Sequence, residues 1–302
     1  MTDEKTQQPL GVASRLNAEL GMSKKIVVSF SGGRTSAYLC SLIKELHPGA
    51  VFVFMDTGAE HPKTYRFIRE CDDYFNLNLV CLRAKVSQEH GVGIDYEIID
   101  INDIGHNLNV WRDMLSKYST PYMHGAFCTK NFKTVPFEKY ANATYGKGNY
   151  HTILGIRIDE PRRLRPRNGF SYLADISDFE KQDILDWWAK MPFDLKIPEH
   201  LGNCVFCIKK GVNKIALAAK DEPRLAEEFI KVTECETVKL IPTRTISPKF
   251  MYRNNMSLRS IIESYKDTPR DKLAMSIKST FETGSCSESC EAFNEQLEMF
   301  EE

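Results

Sequence analysis

The sequence predicts an α/β fold: a Rossmann-like parallel sheet with helices on both faces, followed by a mostly helical C-terminal region carrying cysteines. Three observations lead there. Short apolar runs rich in β-branched and aromatic residues recur at 25–30, 50–56, 78–84 and 151–156, and stretches of helical spacing separate them. Strands alternating with amphipathic helices form parallel βαβ units, because a parallel partner requires a crossover. The first run also leaves through Ser29-Phe30-Ser31-Gly32-Gly33 directly into a helical segment. A strand that stops in a Ser/Gly turn and feeds a helix N-terminus suits an anion: glycine permits close approach, and amide N–H groups and the helix dipole face the charge.

In chain order, residues 1–22 read as a flexible or weakly helical leader. Strand 25–30 is followed by a helix over 35–47 that His47-Pro48-Gly49 closes, since proline cannot continue a helix and disfavours it one residue earlier. Strand 50–56 precedes a helix over 62–75 opened by Pro62, a good first helical residue, and then a strand at 78–84. Residues 85–127 are irregular apart from a helix around 108–118, and a helix over 130–142 leads to the strand at 151–156. Helical spacing takes over at 178–190, 209–220, 222–233 and 257–266. These signals divide the chain into the leader, an α/β domain over 23–177 and a helical region over 178–302.

The 302 residues suffice to bury a sizeable core. Lys and Arg total 40 against 41 Asp and Glu, so any basic site must be local. No apolar run approaches the roughly 18 residues of a membrane span. The polar N-terminus lacks a signal-peptide core, so a cytoplasmic address is the expectation. Nine cysteines in a reducing compartment point to buried thiols, metal ligands or redox groups rather than disulfides.

Four stretches carry chemistry. The turn Ser31-Gly32-Gly33-Arg34-Thr35-Ser36 matches neither G-x-x-x-x-G-K-[ST] nor G-x-G-x-x-G. It resembles the PP-loop, S-G-G-x-D-S, of the N-type ATP pyrophosphatases and the phosphoadenosine phosphosulfate reductase family, with Thr35 at the usual Asp position. Asp56-Thr57-Gly58-Ala59-Glu60-His61-Pro62-Lys63-Thr64-Tyr65, at a strand end, is similar to the family's D-T-G-x-x-x-P-E-T-Y segment, with Lys63 replacing Glu. Read alone, Asp56 is equally well an N-cap for the next helix.

Gly155-Ile156-Arg157-Ile158-Asp159-Glu160 resembles the family's G-x-R-x-x-E segment and opens a stretch with Arg162, Arg163, Arg165 and Arg167. Arginine presents a planar fork matched to phosphate or sulfate. Arg162, Arg165 and Arg167 read either as a basic surface loop or as contacts to a phosphorylated or nucleic-acid substrate.

The fourth stretch is cysteine placement. Cys204-Val205-Phe206-Cys207 is a C-x-x-C, which serves as a redox dithiol or as half of a metal site. Cys128 sits in a segment similar to the C-C-x-x-x-K-x-x-P of iron–sulfur reductases, with Phe127 at the first cysteine. Four thiolates can hold a [4Fe–4S] cluster or zinc; Cys128, Cys204 and Cys207 are the first three candidates, with Cys286 or Cys290 as the fourth. The resemblance favours iron–sulfur over zinc. In another reading Cys286 or Cys290 is a catalytic tail thiol, although Thr283-Gly284-Ser285-Cys286 does not reproduce the family's E-C-G-x-H. Cys40, Cys71, Cys81 and Cys235 read as small buried hydrophobes. Lys209, Lys210 and Lys214 read as a solvated helix face or a continuation of the basic patch, and Trp187 and Trp188 as a packing anchor.

The resemblance implies an adenine nucleotide alpha-hydrolase-like fold and an enzyme acting on ATP or phosphoadenosine phosphosulfate, with Mg2+ where a pyrophosphate binds. Ser29, Ser31, Gly32, Gly33, Arg34, Thr35, Ser36, Asp56, Thr57 and Gly155 would hold the nucleotide. Arg157, Glu160 and Arg163 would serve catalysis, the arginines neutralising charge on the transferred group. The activity is either reduction of adenylylated sulfate, with thiol electrons from a donor such as thioredoxin, or ATP cleavage that adenylates a substrate, as in nucleic-acid thiolation. A third reading is a nucleotide-sensing or nucleic-acid-binding module without turnover.

Overall fold

The computed structural model describes residues 24–123 and 125–279. Cys286, Cys290 and the 1–22 leader therefore lie outside the described residues. Six strands form one sheet in the order β4-β3-β2-β1-β5-β6, with β1 Lys25–Phe30, β2 Val51–Asp56, β3 Val80–Val86, β4 Ile94–Ile99, β5 Tyr150–Leu154 and β6 Phe170–Tyr172. β1 pairs in parallel with β2 on one side (Phe30 opposite Phe54) and with β5 on the other (Ser29 opposite Leu154). The chain therefore leaves β1 and β5 in opposite lateral directions, and a crevice opens beyond their carboxyl ends, where open α/β sheets bind ligands.

β4 runs antiparallel to β3, so the sheet is mixed rather than wholly parallel. This departs from the expectation, which left 85–127 irregular. Only Ile94 of β4 is buried, and Ile98 is 62% exposed. An edge strand covered on so little of its surface lacks the continuous apolar run of a central one.

Alternate residues of the strands feed two layers. Val28, Phe30, Phe52, Phe54 and Cys81 pack on one face with α1 (Arg34–Leu46), α2 (Pro62–Phe75) and α3 (Asn109–Tyr118). Val27, Val53, Met55, Leu82 and Leu154 pack on the other face with Phe137, Tyr140 and Ala141 of α4 (Val135–Tyr145). The first core runs on without a break into α5 (Lys181–Ala189), α6 (Val212–Asp221), α7 (Pro223–Thr233), α8 (Leu258–Ser264) and α9 (Arg270–Ser279), through Trp188, Ile215, Phe229, Ile261 and Leu273. Trp188 is 1% exposed and packs edge-on to Phe67, the anchoring role its sequence suggested. Among the described residues no helix is long and apolar enough to cross a membrane.

α1 closes at His47, whose N–H donates to Ile43 O at 2.7 Å. The His47 Nε2 is buried without a hydrogen-bond partner, and burial lowers the imidazole from its ordinary value of 6.5. The native state then binds fewer protons here than the unfolded chain, so this contribution is present above pH 6.5 and is lost as pH falls. The stability difference between the wild type and His47→Gln is expected to narrow as pH drops from 7.5 to 5.5 in chemical denaturation. A constant difference would sink the claim.

Candidate functional site

The loop after β1 joins a left-handed glycine to a helix N-terminus without a side-chain cap. Gly32 takes φ +82°, a left-handed value that L side chains rarely adopt, and an added Cβ would lie 2.9 Å from Ile68 Cδ1. Gly33 is the N-cap of α1 and brings no side-chain cap, so the first-turn amides keep their capacity for a ligand. Ser36 Oγ closes the loop on itself: it accepts from Ser31 N at 3.2 Å, lies 2.8 Å from Ser31 Oγ and donates to Gly33 O at 3.0 Å. Ser29 is 1% exposed, and its Oγ is buried with no hydrogen-bond partner.

Arg34 lines the same cleft as this nest. Its Nε and Nη2 form a fork on Asp194 at 2.6 and 2.8 Å and Nη2 also donates to Leu195 O, while Arg34 O accepts from Trp188 Nε1 at 3.0 Å. The side chain therefore tethers the segment 194–203. Leu195, Ile197, Pro198, Glu199, Gly202 and Asn203 of that segment share one cleft with Ser31 to Arg34 and Thr64.

The exit of β5 abuts the same loop. A Cβ on Gly155 would meet Ser36 Cα at 3.0 Å, so only glycine lets the two turns pack this closely. Arg157, 3% exposed, donates from Nη1 to Thr35 Oγ1 at 3.0 Å and from Nε to Asp159 Oδ1 at 2.8 Å. Glu160 accepts from Arg157 N at 3.2 Å and from Arg163 Nη1, linking the two arginines. Thr35, a neutral acceptor where the motif has Asp, leaves the guanidinium charge beside the loop to be balanced by Asp159 and Glu160.

The exit of β2 forms a buried polar knot. Asp56 is 0% exposed and accepts from Gly58 N at 2.9 Å, Tyr65 OH at 3.0 Å and Arg83 Nη2 at 2.6 Å. Burial, and next the neighbouring Glu60 charge, push its carboxyl above 3.8. Asp56 thus organises the turn, whose Gly58 has φ +71° and no room for a Cβ against Asn107 O. Glu60, 1% exposed, accepts from Thr57 Oγ1 at 2.6 Å and Tyr65 OH at 2.9 Å, and Lys133 Nζ lies 3.7 Å from its Oε1.

The cysteines meet this knot. Cys204 pairs with Glu60 in an isolated antiparallel bridge and Val205 N donates to Ala59 O at 3.0 Å. Its Sγ lies 3.5 Å from Thr57 Oγ1 and 3.9 Å from Glu60 Oε1. Cys128, Cys204 and Cys207 line a second cleft with Thr57, Lys133 and Lys209. Three of the predicted sulfur ligands thus converge. Even so, no group of three or more Cys, His, Asp or Glu close enough to hold a metal ion occurs among the described residues. The described residues alone make no metal site there, and the fourth candidates, Cys286 and Cys290, lie outside them.

Cys40, Cys71 and Cys81 are fully buried, with burial pushing Cys81 up to about 12. Cys235 is half-buried. Lys210 and Lys214 correct the reading of a solvated face: they are 6% and 8% exposed. Lys210 Nζ donates to the carbonyls of His200, Cys204 and Val205 at 2.8, 3.0 and 3.0 Å, stapling the C-x-x-C turn. Sequence reasoning missed Glu60, Lys133 and Arg83 as site residues. Glu60 stood inside the quoted Asp56–Tyr65 motif and Lys133 inside the Cys128 motif, whereas nothing local marked Arg83.

Residues 25–167 match the phosphoadenosine phosphosulfate reductase domain. The chain is 48% identical over 285 residues to the uncharacterized nin region protein ORF290 of Escherichia phage lambda, covering 90% of this chain and 97% of the phage protein. It is 37% identical over 84 residues to a phosphoadenosine 5'-phosphosulfate reductase of Alteromonas mediterranea, a match spanning 28% of this chain and 33% of that enzyme. A phosphoadenylyl-sulfate reductase structure from Candida auris aligns at TM-score 0.36 and 14% identity, over 61% of this chain and 80% of that one. The PP-loop between β1 and α1, the arginine-bearing exit of β5 and the matched domain make this chain a member of the phosphoadenosine phosphosulfate reductase family.

Proposed function

We propose that the protein is an enzyme that binds an adenine nucleotide with its anionic end on residues 31–36 and acts on the group beyond the α-phosphate. The observation that carries this is the junction of two motifs: Arg157 reaches the uncapped N-terminus of α1 through Thr35. A fixed cation beside a preorganised amide nest lowers the cost of charge developing on a leaving phosphate or sulfate. Residues 23–177 hold the nucleotide in this reading, and the helical region from 178 onward covers it. Glu160 orients Arg157 and Arg163 from its place between them.

Reduction of an adenylylated sulfate is the favoured reaction. The second reading, ATP pyrophosphatase chemistry, needs Mg2+ at the pyrophosphate, and Thr35 offers a hydroxyl already bonded to Arg157 where a carboxylate would serve better. Incubation with phosphoadenosine phosphosulfate and a thioredoxin-class dithiol is expected to release sulfite, and incubation with ATP to release no pyrophosphate. Pyrophosphate without sulfite would move the assignment to ATP cleavage, with the exposed Arg162 and Arg165 placed to contact a nucleic-acid acceptor. Neither product, with nucleotide still bound, would leave a sensor. The [4Fe–4S] cluster that the family resemblance suggested has no metal-holding group behind it among the described residues, and its fourth candidate ligands, Cys286 and Cys290, lie outside them.

A further inference from the structure

The stretch between α7 and α8 carries a cleft of about 260 Å³ that shares no lining residue with the two clefts described above. Its walls include three aromatic rings: Tyr122, from the turn after α3, with Phe250 and Tyr252. Phe250 is 38% exposed, a large apolar side chain left open to solvent. Tyr252 is 3% exposed, and its OH donates to Phe206 O at 2.9 Å, which fixes the ring. Arg244 braces the other two walls. Its guanidinium lies 4.4 Å from the centre of the Tyr122 ring, and its Nη2 donates to Phe250 O at 3.4 Å. Nη1 anchors it on Thr120, donating to the carbonyl at 2.8 Å and to Oγ1 at 3.0 Å. Arg253, Asn254 and Asn255 also line the cleft, and both asparagines take left-handed φ, +60° and +53°. Asparagine is one of the few residues that visit this region, so the turn can set two amides side by side.

The charge of this stretch is one-sided. From Thr237 to Ile262 there are five cations, Lys239, Arg244, Lys249, Arg253 and Arg259, and no acid. Among the described residues only Arg259 of the five has a carboxylate at ion-pair distance, Glu234 at 3.1 Å. Cations without carboxylates beside open aromatic walls suit a polyanion with flat groups. Phosphates meet the charge, bases stack on rings, and amides pair with base edges. A duplex keeps its bases in the stack, and an acidic peptide has nothing flat to offer the rings. We propose that this cleft binds single-stranded nucleic acid, with a base stacked on Phe250, the Asn254 and Asn255 amides at its edge, and phosphates on Lys249 and Arg253. The site is separate from residues 31–36 and from the arginine loop after β5.

Fluorescence anisotropy of the full chain with a labelled oligothymidylate tests this. The competitors are an oligouridylate, the thymidylate in a duplex, an abasic strand and polyglutamate. The single strands are expected to compete fully, and the other three at least tenfold less well. Phe250→Ala should weaken binding about tenfold or more, the share of one stacked base. Arg253→Gln and Lys249→Gln should each flatten the slope of log affinity against log salt by about 0.7, one phosphate contact apiece. Because Phe250 is part-exposed, its variant is expected to keep the wild-type melting temperature and the wild-type affinity for adenine nucleotide by calorimetry. Absence of strand binding would overturn the proposal, as would wild-type affinity in Phe250→Ala or equal competition by the abasic strand or polyglutamate. So would loss of binding in the double variant Arg162→Gln, Arg165→Gln with Phe250→Ala unaffected, which would put the strand on the exit of β5. Strand and adenine nucleotide affinities are read separately on each variant. Strand binding can therefore fail while the nucleotide reading stands, and the reverse.

Discussion

Valine in place of Gly32 is expected to abolish adenine nucleotide binding, with calorimetric affinity falling at least 100-fold. At φ +82° a β-branched residue adopts a conformation that costs about 1–2 kcal/mol even for an ordinary L residue. Its Cβ would also press on Ile68 Cδ1 at 2.9 Å and Thr64 Cγ2 at 3.2 Å, both on α2 beneath the loop. The loop must then shift, and the first-turn amides of α1 lose their common focus. Because Ile68 belongs to the main core, a fall in melting temperature of several degrees should accompany the loss. Retained affinity in a folded Gly32→Val protein would show that the anion binds elsewhere. Ser31→Ala offers a gentler check, since it removes one hydroxyl from the nest and leaves the backbone alone.

Asp56→Ala is expected to have the largest effect on stability, roughly 3–5 kcal/mol, because it strips a buried ion pair of one partner. The Arg83 guanidinium, the Tyr65 hydroxyl and the Gly58 amide all lose an acceptor at once. For a protein of this size that loss lowers the melting temperature by about 10 °C or more. Asp56→Asn keeps one carbonyl acceptor and should lose less. The pH dependence has a definite sign. The folded carboxyl is raised above 3.8 by burial first and by Glu60 second, so the native state holds its proton more tightly than the unfolded chain. Its titration favours the fold below pH 3.8 and that benefit disappears as pH rises. The wild type should therefore lose ground to Asp56→Asn between pH 4 and 7 in denaturation experiments. An unchanged gap would mean that Arg83 keeps Asp56 ionised throughout.

Both variants concern residues that stood out in the sequence, yet for different reasons. Gly32 was legible because a Ser/Gly turn between an apolar strand and a helix has one local meaning. Asp56 was legible as important, read with the first motif as a ligand contact rather than a helix cap, and the structure adds what no local signal marked, a buried knot with Arg83 and Tyr65. Arg34 makes the same point. It lay within the phosphate motif, but its guanidinium closes on Asp194 and Leu195, so it fastens the cover over the loop.

Local chemistry sufficed for the alternation of β1 to β3 with α1 and α2, the anion-binding turn, and the placing of motifs at the exits of β1, β2 and β5. Strand periodicity, turn residues and helix starts are properties of neighbours in the chain, and a single sequence records them directly. Only the tertiary structure decided which distant groups meet: Thr35 with Arg157, Arg34 with Asp194, and Glu60 with Lys133 and Cys204. It also decided that Lys210 lies under the cysteine turn and that β4 runs against its neighbour. These outcomes depend on burial and on the folding back of residues 194–210 across the sheet's carboxyl edge. Desolvation and long-range pairing set the chemistry there, and neither leaves a period or a motif in the chain.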